Sequence, residues 1–197
     1  MRQLSLLEEV APLTHAAPVA KGRNGAGPHV RHNSGNDEWY TPPEFLDAAH
    51  NVMGGIDTDP ASSDVANTRV RALAYYTLQD DGLRRPWRGR VWMNPPYSRG
   101  RINQFCAALR YHIEAGHVTE AIALTNNSTE TAWFADLLVI ASALCLVSSR
   151  IKFLDRDGKK SGSPLQGQII VYSGPNVAAF EKHYSQFGKV LRVADGL

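Results

Sequence analysis

Two consecutive prolines, Pro95 and Pro96, constrain this chain more than any other local feature. They follow the apolar run Val91-Trp92-Met93, which reads as a buried strand. Neither ring carries an N–H for a sheet ladder, and each holds the residue before it in extended backbone. The strand must therefore leave its sheet at Asn94 along a rigid path. The exit presents a group of acceptors: the side-chain carbonyl of Asn94 and the backbone carbonyls of Asn94 and Pro95. An aromatic face, Tyr97, follows directly.

Such a set suits an exocyclic amine acting as a nucleophile. The lone pair of an adenine amino group is delocalised into its ring, so the group attacks poorly. Two acceptors on its N–H groups favour a pyramidal nitrogen and stabilise the positive charge that grows during attack on an electrophilic methyl. An aromatic ring can stack on the base, a contact worth roughly 1–3 kcal/mol in single-strand sites. The proton leaves once the nitrogen is cationic, so the first step requires no strong base. Taken alone, Asn94-Pro95-Pro96-Tyr97 is equally consistent with a plain strand-to-loop exit, and the neighbouring segments decide.

Upstream, Ile56-Asp57-Thr58-Asp59-Pro60-Ala61-Ser62-Ser63 reads as a short strand ending in an acid, then a turn of small residues. Cofactors of open α/β sheets bind outside the carboxyl ends of strands, and this segment resembles the Asp-Pro-Ala opening of S-adenosylmethionine sites. Trp39-Tyr40-Thr41-Pro42-Pro43-Glu44 reads as a helix start, with Thr41 as N-cap, Pro42 at the first helical position and Glu44 completing a capping box. The N–H groups of such a start suit a carboxylate. A well-capped helix without a ligand accounts equally for the same residues.

In this order, together with Asp80-Asp81-Gly82-Leu83 and Trp87-Arg88-Gly89-Arg90-Val91, the motifs resemble the phage-type DNA N6-adenine methyltransferases, the Dam-type family of phages and prophages. The resemblance spans about residues 37–193. It implies an α/β fold with a Rossmann-like, mostly parallel class I methyltransferase sheet of seven strands. It also implies S-adenosylmethionine as methyl donor and an adenine rotated out of double-stranded DNA as acceptor. Carried over residue by residue, it assigns cofactor contacts to Tyr40, Thr41, Pro42, Asp59, Pro60, Ala61 and Ser62, with one of Asp80 or Asp81. It assigns the target amine to Asn94, Pro95, Pro96 and Tyr97. One departure stands out: Ser62-Ser63 occupies a loop where many relatives carry glycine, which permits close backbone approach, so a shifted or weaker cofactor is expected.

Net charge is only +2 over 197 residues, so the overall balance says little about nucleic acid. The distribution says more. Arg84, Arg85, Arg88, Arg90, Arg99 and Arg101 bracket the Asn-Pro-Pro-Tyr element, and Arg150, Lys152, Arg156, Lys159 and Lys160 form a second group. Arginine-rich loops are common on solvated surfaces, but clustering beside a base pocket points to phosphate contacts, with Arg99, Arg101, Arg150, Lys152, Lys159 and Lys160 as the DNA-binding candidates. Cys106 and Cys145 sit in apolar patterns and read as core residues; no metal-ligand spacing occurs. No apolar run reaches membrane-spanning length and the N-terminus lacks a secretory pattern, so a reduced cytoplasmic setting is expected.

Residues 1–36 lack periodicity and are expected to form a tail preceding one methyltransferase domain, 37–197. Helices are expected over Pro42–Met53, closed by Gly54-Gly55, and over Ile102–Glu114, ending at Gly116. Another helix should be capped near Ser128 or Thr129, and a closing helix should run over about Asn176–Phe187. Strands are expected at Ile56–Asp59, Leu73–Tyr76, Arg90–Met93, Glu120–Leu124, Ala143–Val147 and Lys189–Val193. The short spacing from Asp59 to Asn94 implies that one crossover is trimmed to a turn of helix or to loop. Ile151–Leu154 and Gln168–Tyr172 flank a polar loop, Asp155 to Gly167, and read as a C-terminal hairpin excursion suited to sequence recognition. Asn126, Asn127 and Trp133 belong to the rim segment, with Trp133 expected in the core.

Alternatives stay open at this level. The tetrapeptide also serves N4-cytosine, RNA adenine and glutamine amides. A non-catalytic DNA-binding module with a degenerate cofactor site is the reading from a different class.

Overall fold

Apolar residues at helical spacing explain α1 (Pro43–Met53), a helix that buries Phe45, Leu46, Ala48, Ala49, Val52 and Met53 on one face. It stops at Gly54, whose left-handed φ of 73° lets its N–H reach the His50 carbonyl at 2.8 Å. The computed structural model describes residues 39–160 and 166–194. The tail expected over residues 1–36 lies outside the described residues, as does the stretch 161–165 of the C-terminal loop. Along the described chain, α1 is followed by β1 (Thr58–Asp59), α2 (Asp64–Val70), β2 (Ala74–Tyr75) and β3 (Gly89–Met93). Then come α3 (Arg101–Glu114), β4 (Val118–Asn126), α4 (Ala132–Ile140), β5 (Ala143–Val147), β6 (Gln168–Ser173), α5 (Val177–Tyr184) and β7 (Gly188–Arg192).

The seven strands form one sheet in the order β2-β1-β3-β4-β6-β5-β7. Its first half is parallel, β1 pairing β2 and β3, and β3 pairing β4. In its second half β6 lies antiparallel between β4 and β5, and β7 closes the sheet antiparallel to β5. Helices cover both faces, as the strand–helix alternation requires. Trp92, Ile122, Leu124, Cys145, Ile170 and Tyr172 pack towards α1 and α5. Val91, Met93, Ala121, Ala123, Ile169 and Val171 face the other way, towards α3 and α4. Alternate residues of each buried strand thus fill two cores, each fully buried large side chain being worth roughly 1.5–3 kcal/mol. Cys106 and Cys145 are both buried free thiols. No helix of the described residues is long and apolar enough to cross a membrane.

Several details differ from the sequence reading. The helix start is shifted by one residue: Pro42 is the N-cap, Pro43 is the first helical residue, and no side chain caps the helix. Thr41 is drawn away by a tertiary contact instead. The crossover from β1 is α2, seven residues long and capped by Ser63, whose Oγ accepts from the Ala66 N–H at 3.1 Å. The trimmed crossover is the next one, reduced to a single 3-10 turn at Gly82–Arg84. α4 starts later than Ser128 or Thr129, with Thr131 at its N-cap. Gln168–Tyr172 is not the partner arm of Ile151–Leu154; it is a fully buried strand inside the sheet. The hairpin is smaller, with Leu154 bridging both Lys160 and Tyr40.

Candidate active site

β3 ends at Met93, and the chain leaves the sheet through Asn94 beside the start of α1. There the Asn94 Nδ2 donates a long hydrogen bond, 3.4 Å, to the hydroxyl of Thr41. This contact takes the threonine that local capping rules would have spent on the helix. It also turns the Asn94 carbonyl oxygen, on the other arm of the amide, away from Thr41. Thr41 is buried, and so are Tyr40, Pro42 and Pro95, whereas Pro96 is exposed. Tyr40 is fixed by two backbone bonds, its N–H to the Leu154 carbonyl at 2.9 Å and the Leu154 N–H to its own carbonyl at 2.8 Å.

Tyr97 follows at the rim with its ring 39% exposed, enough to offer a face to a base. Its hydroxyl accepts from the Asn126 backbone N–H at the end of β4, and its ring meets Trp133 edge-on at 6.2 Å. Burial of the hydroxyl pushes its pKa above the ordinary tyrosine value, so the group stays neutral. Trp133 is core, as expected, and braces Tyr97 from below. Asn127 donates its backbone N–H to the Gly167 carbonyl at 3.1 Å, and a Cβ on Gly167 would stand 2.8 Å from the Asn127 amide nitrogen. The end of the C-terminal loop is therefore packed against the rim that holds Tyr97.

Asp59 closes β1 and is only 3% exposed. Burial raises its pKa from 3.8 to about 6, against the opposing effects of the Ala61 N–H, 3.1 Å from Oδ1, and the Ser62 hydroxyl. The loop after it is pinned to β2: the Ser62 N–H reaches the Tyr76 carbonyl at 2.9 Å, and the Tyr76 N–H reaches the Asp59 carbonyl at 3.0 Å. None of Pro60, Ala61, Ser62 or Ser63 has positive φ, so this loop requires no glycine, and Ser63 serves as a cap. The close approach occurs at Gly82, where a Cβ would come within 1.9 Å of the Pro60 carbonyl oxygen. Any larger residue would push the Asp80–Asp81 turn off the Asp59 loop.

The two acids of that turn are engaged within the protein. Asp80 accepts from the Thr77 N–H at 2.9 Å and the Thr77 hydroxyl at 2.7 Å, which hold its pKa below the ordinary value together with Arg85. Asp81 pairs with Arg101 at 2.8 Å. Arg101, expected at DNA, thereby ties α3 to this turn, with its guanidinium 5.6 Å from the Phe105 ring centroid. Arg90 is likewise engaged away from the rim, in a two-point pair with Asp57. Arg150, Lys152, Lys159 and Lys160 are exposed. Arg99 lies in a 3-10 turn, Ser98–Gly100, and its side chain is outside the described residues.

Tyr40, Thr41, Asp59, Asn94 and Tyr97 thus gather at the carboxyl ends of β1, β3 and β4. A shallow cleft lined by Asp57, Thr58, Arg88 and Gly89 opens beside the beginning of β3, at the opposite end of that strand from Asn94. The groups on the Asn94 side fit an amino-acid-bearing cationic ligand: a buried carboxylate, Asp59, and an arginine, Arg69, whose buried Nη1 has no hydrogen-bond partner among the described residues. Among the described residues no cluster of His, Cys, Asp and Glu could hold a metal ion. Arg69 was missed in the sequence reading, and Gly82 was read only as part of the Asp80-Asp81-Gly82-Leu83 motif, without its close approach to Pro60. Ser63 as an N-cap was the available signal for α2, and hence for Arg69 on it.

The sequence model of the DNA N-6-adenine-methyltransferase (Dam) family matches residues 29–188. A protein of Escherichia phage T1 named DNA N-6-adenine-methyltransferase is 27% identical over 140 residues, 70% of this chain and 55% of that protein. The chain spans about half the length of this curated relative. With the family match covering most of its length, the chain belongs to the DNA N-6-adenine-methyltransferase family.

Proposed function

We propose that this protein methylates the N6 amine of an adenine rotated out of duplex DNA, using S-adenosylmethionine. The observation that carries the reading is the Asn94–Thr41 contact. It joins the acceptor tetrapeptide to the start of α1 and leaves the Asn94 carbonyl oxygen available to an N–H group. S-adenosylmethionine supplies a sulfonium-bound methyl, whose C–S electron pair stays on sulfur as the new N–C bond forms. Asn94 Oδ1 and the Pro95 carbonyl accept the two amine hydrogens and stabilise the charge that develops on nitrogen, whose proton then passes to solvent. Tyr97 stacks on the base, with its hydroxyl anchored at Asn126 so that the ring keeps one orientation.

Asp59 would face the cationic part of the cofactor, and the backbone of the Asp59–Ser62 loop and the Gly82 turn would shape its seat. A base inside a duplex cannot reach such a site, so the target must leave the stack. Arg150, Lys152, Lys159 and Lys160 would take phosphates, with Arg99 beside the acceptor motif. Arg101 would position the Asp81 turn, since its guanidinium is already paired.

Methyl transfer from labelled S-adenosylmethionine to unmethylated plasmid DNA, with nucleosides resolved by mass spectrometry, tests the reading. Methylated adenine that disappears with Asn94→Ala is expected. Methylated cytosine as product, or no product from protein that binds both cofactor and DNA, would overturn it.

A further inference from the structure

Arg69 lies in the last turn of α2, and its guanidinium sits over the Tyr40 ring, 5.0 Å from the centroid. Its Nη2 is 3.5 Å from where a Cβ on Gly158 would stand, so the turn of the C-terminal loop packs close to it as well. Nη1 is buried and has no hydrogen-bond partner among the described residues. Ion pairs of the described residues use Arg71, Arg85, Arg90, Arg101, Arg110 and Arg192, not Arg69. Stacking on an aromatic face offsets part of the cost of burying a cation. The rest calls for an anion.

The start of α1 shows which anion. A helix N-terminus can cradle a carboxylate through its first N–H groups. Here Pro42 and Pro43 carry none, and the Phe45 N–H is already bonded to the Pro42 carbonyl at 3.2 Å. Only Glu44 is left with an N–H in the first positions, so this helix start is a weak carboxylate site. Arg69 stacks on Tyr40, next in sequence to Thr41, whose hydroxyl touches Asn94. The planar guanidinium fork matches a carboxylate in two-point geometry. A phosphodiester, flanked by two sugars, fits poorly at a buried nitrogen close to Tyr40 and the Gly158 turn.

We propose that Arg69 is the anion-binding residue of the cofactor site and holds the α-carboxylate at the methionine end of the methyl donor. The inference rests on the reading of the chain as an S-adenosylmethionine-dependent enzyme. It separates Arg69 from the exposed basic residues, which serve DNA, and it makes α2, rather than the N-terminus of α1, the element that fixes the amino-acid end of the ligand.

Calorimetric titration of the full chain with S-adenosylmethionine and with decarboxylated S-adenosylmethionine tests it, in wild type, Arg69→Met and Arg69→Lys. Arg69→Met should weaken the intact cofactor at least tenfold and the decarboxylated one less than twofold. Arg69→Lys, which keeps the charge but not the fork, should fall between. The ligand-free melting temperature of Arg69→Met should hold or rise, because a guanidinium nitrogen buried without a hydrogen-bond partner has been removed; a purely structural arginine would lower it. Equal losses for both ligands, or unchanged affinity for the intact cofactor, overturn the proposal. A fall in duplex affinity with cofactor affinity intact also overturns it, and identifies a phosphate as the anion. If Arg69→Met does not fold, Arg69→Lys decides by the same selectivity. Wild-type protein that binds neither ligand removes the methyltransferase reading as well, whereas wild-type binding with unselective variants removes Arg69 alone.

Discussion

The two ends of the same strands treat their polar groups differently. Near the beginnings of β3 and β4 they close on one another. Arg90 gives Nε and Nη2 to the two oxygens of Asp57 at 2.8 and 2.7 Å and Nη1 to the Met53 carbonyl at 3.1 Å. This holds the Asp57 carboxyl below its ordinary pKa. Buried Glu120 accepts from the Tyr172 hydroxyl and from Asn176 Nδ2, and the Tyr172 hydroxyl accepts in turn from the Asn176 N–H. At the carboxyl ends polar groups are left short. Asp59 is buried with its pKa raised, Asn94 has one long bond, and the Arg69 Nη1 and Thr125 Oγ1 are buried without hydrogen-bond partners among the described residues. A buried polar group without a partner costs stability. One end of the sheet closes its polar groups on one another, and the other leaves several of them short of partners.

The sharpest way to break this contrast is to exchange the effects of the two ends. Asn94→Ala should lower turnover at least about tenfold, towards the ~10²–10³ typical of losing one charge-stabilising contact. Its urea midpoint should stay where it is. A clear loss of stability would mean that Asn94 serves the fold and would remove the division. Asp57→Ala should do the reverse. It should cost about 1–3 kcal/mol in equilibrium urea unfolding, since it leaves Arg90 and its N–H short of an acceptor, with cofactor affinity unchanged by calorimetry.

A smaller effect follows from Asp59. Its pKa is raised from 3.8 to about 6, so the charged form is disfavoured in the folded protein. Its contribution to ligand-free stability is full below 3.8 and is lost as pH rises through about 6. A cationic cofactor prefers the carboxylate, so affinity should rise several-fold between about pH 5 and pH 7. Titration calorimetry across that range checks it, and Asp59→Asn should flatten the profile.

The least effect, and the opposite sign, is expected at His112. Burial first, and then His117 with the ring nitrogens 3.1 Å apart, lower its pKa below the ordinary 6.5. Its contribution to stability is complete above 6.5 and declines as pH falls below that value. Thermal melting of His112→Phe against wild type over this range should show the dependence diminished.

How far the sequence reading reached depended on how local each feature was. The exit at Asn94-Pro95-Pro96-Tyr97 was legible because proline chemistry acts within its own tetrapeptide. Ala143–Val147 was legible as a strand with those bounds, and the helices before Gly54 and Gly116 were legible from periodicity and glycine stops. Thr41 was misassigned as a cap because its competitor, Asn94, lies 53 positions away. Gln168–Ser173 was legible as a strand but not as the one between β4 and β5, since antiparallel partners leave no mark on the strand itself. The basic cluster counted Arg90 and Arg101 towards DNA, whereas Asp57 and Asp81 claim them.

By itself, then, the sequence determined which stretches form most of the strands and helices, that an acceptor-rich corner with an aromatic face closes β3, and that an acid closes β1. Those features follow from torsional limits and spacing, which act over a few residues. Only the tertiary structure decided which charges are neutralised inside the protein, which polar groups are buried short of partners, and that the guanidinium of Arg69 lies over Tyr40 with its Nη1 buried. Desolvation and pairing depend on what comes within a few ångströms, and chain-distant residues supply most of that.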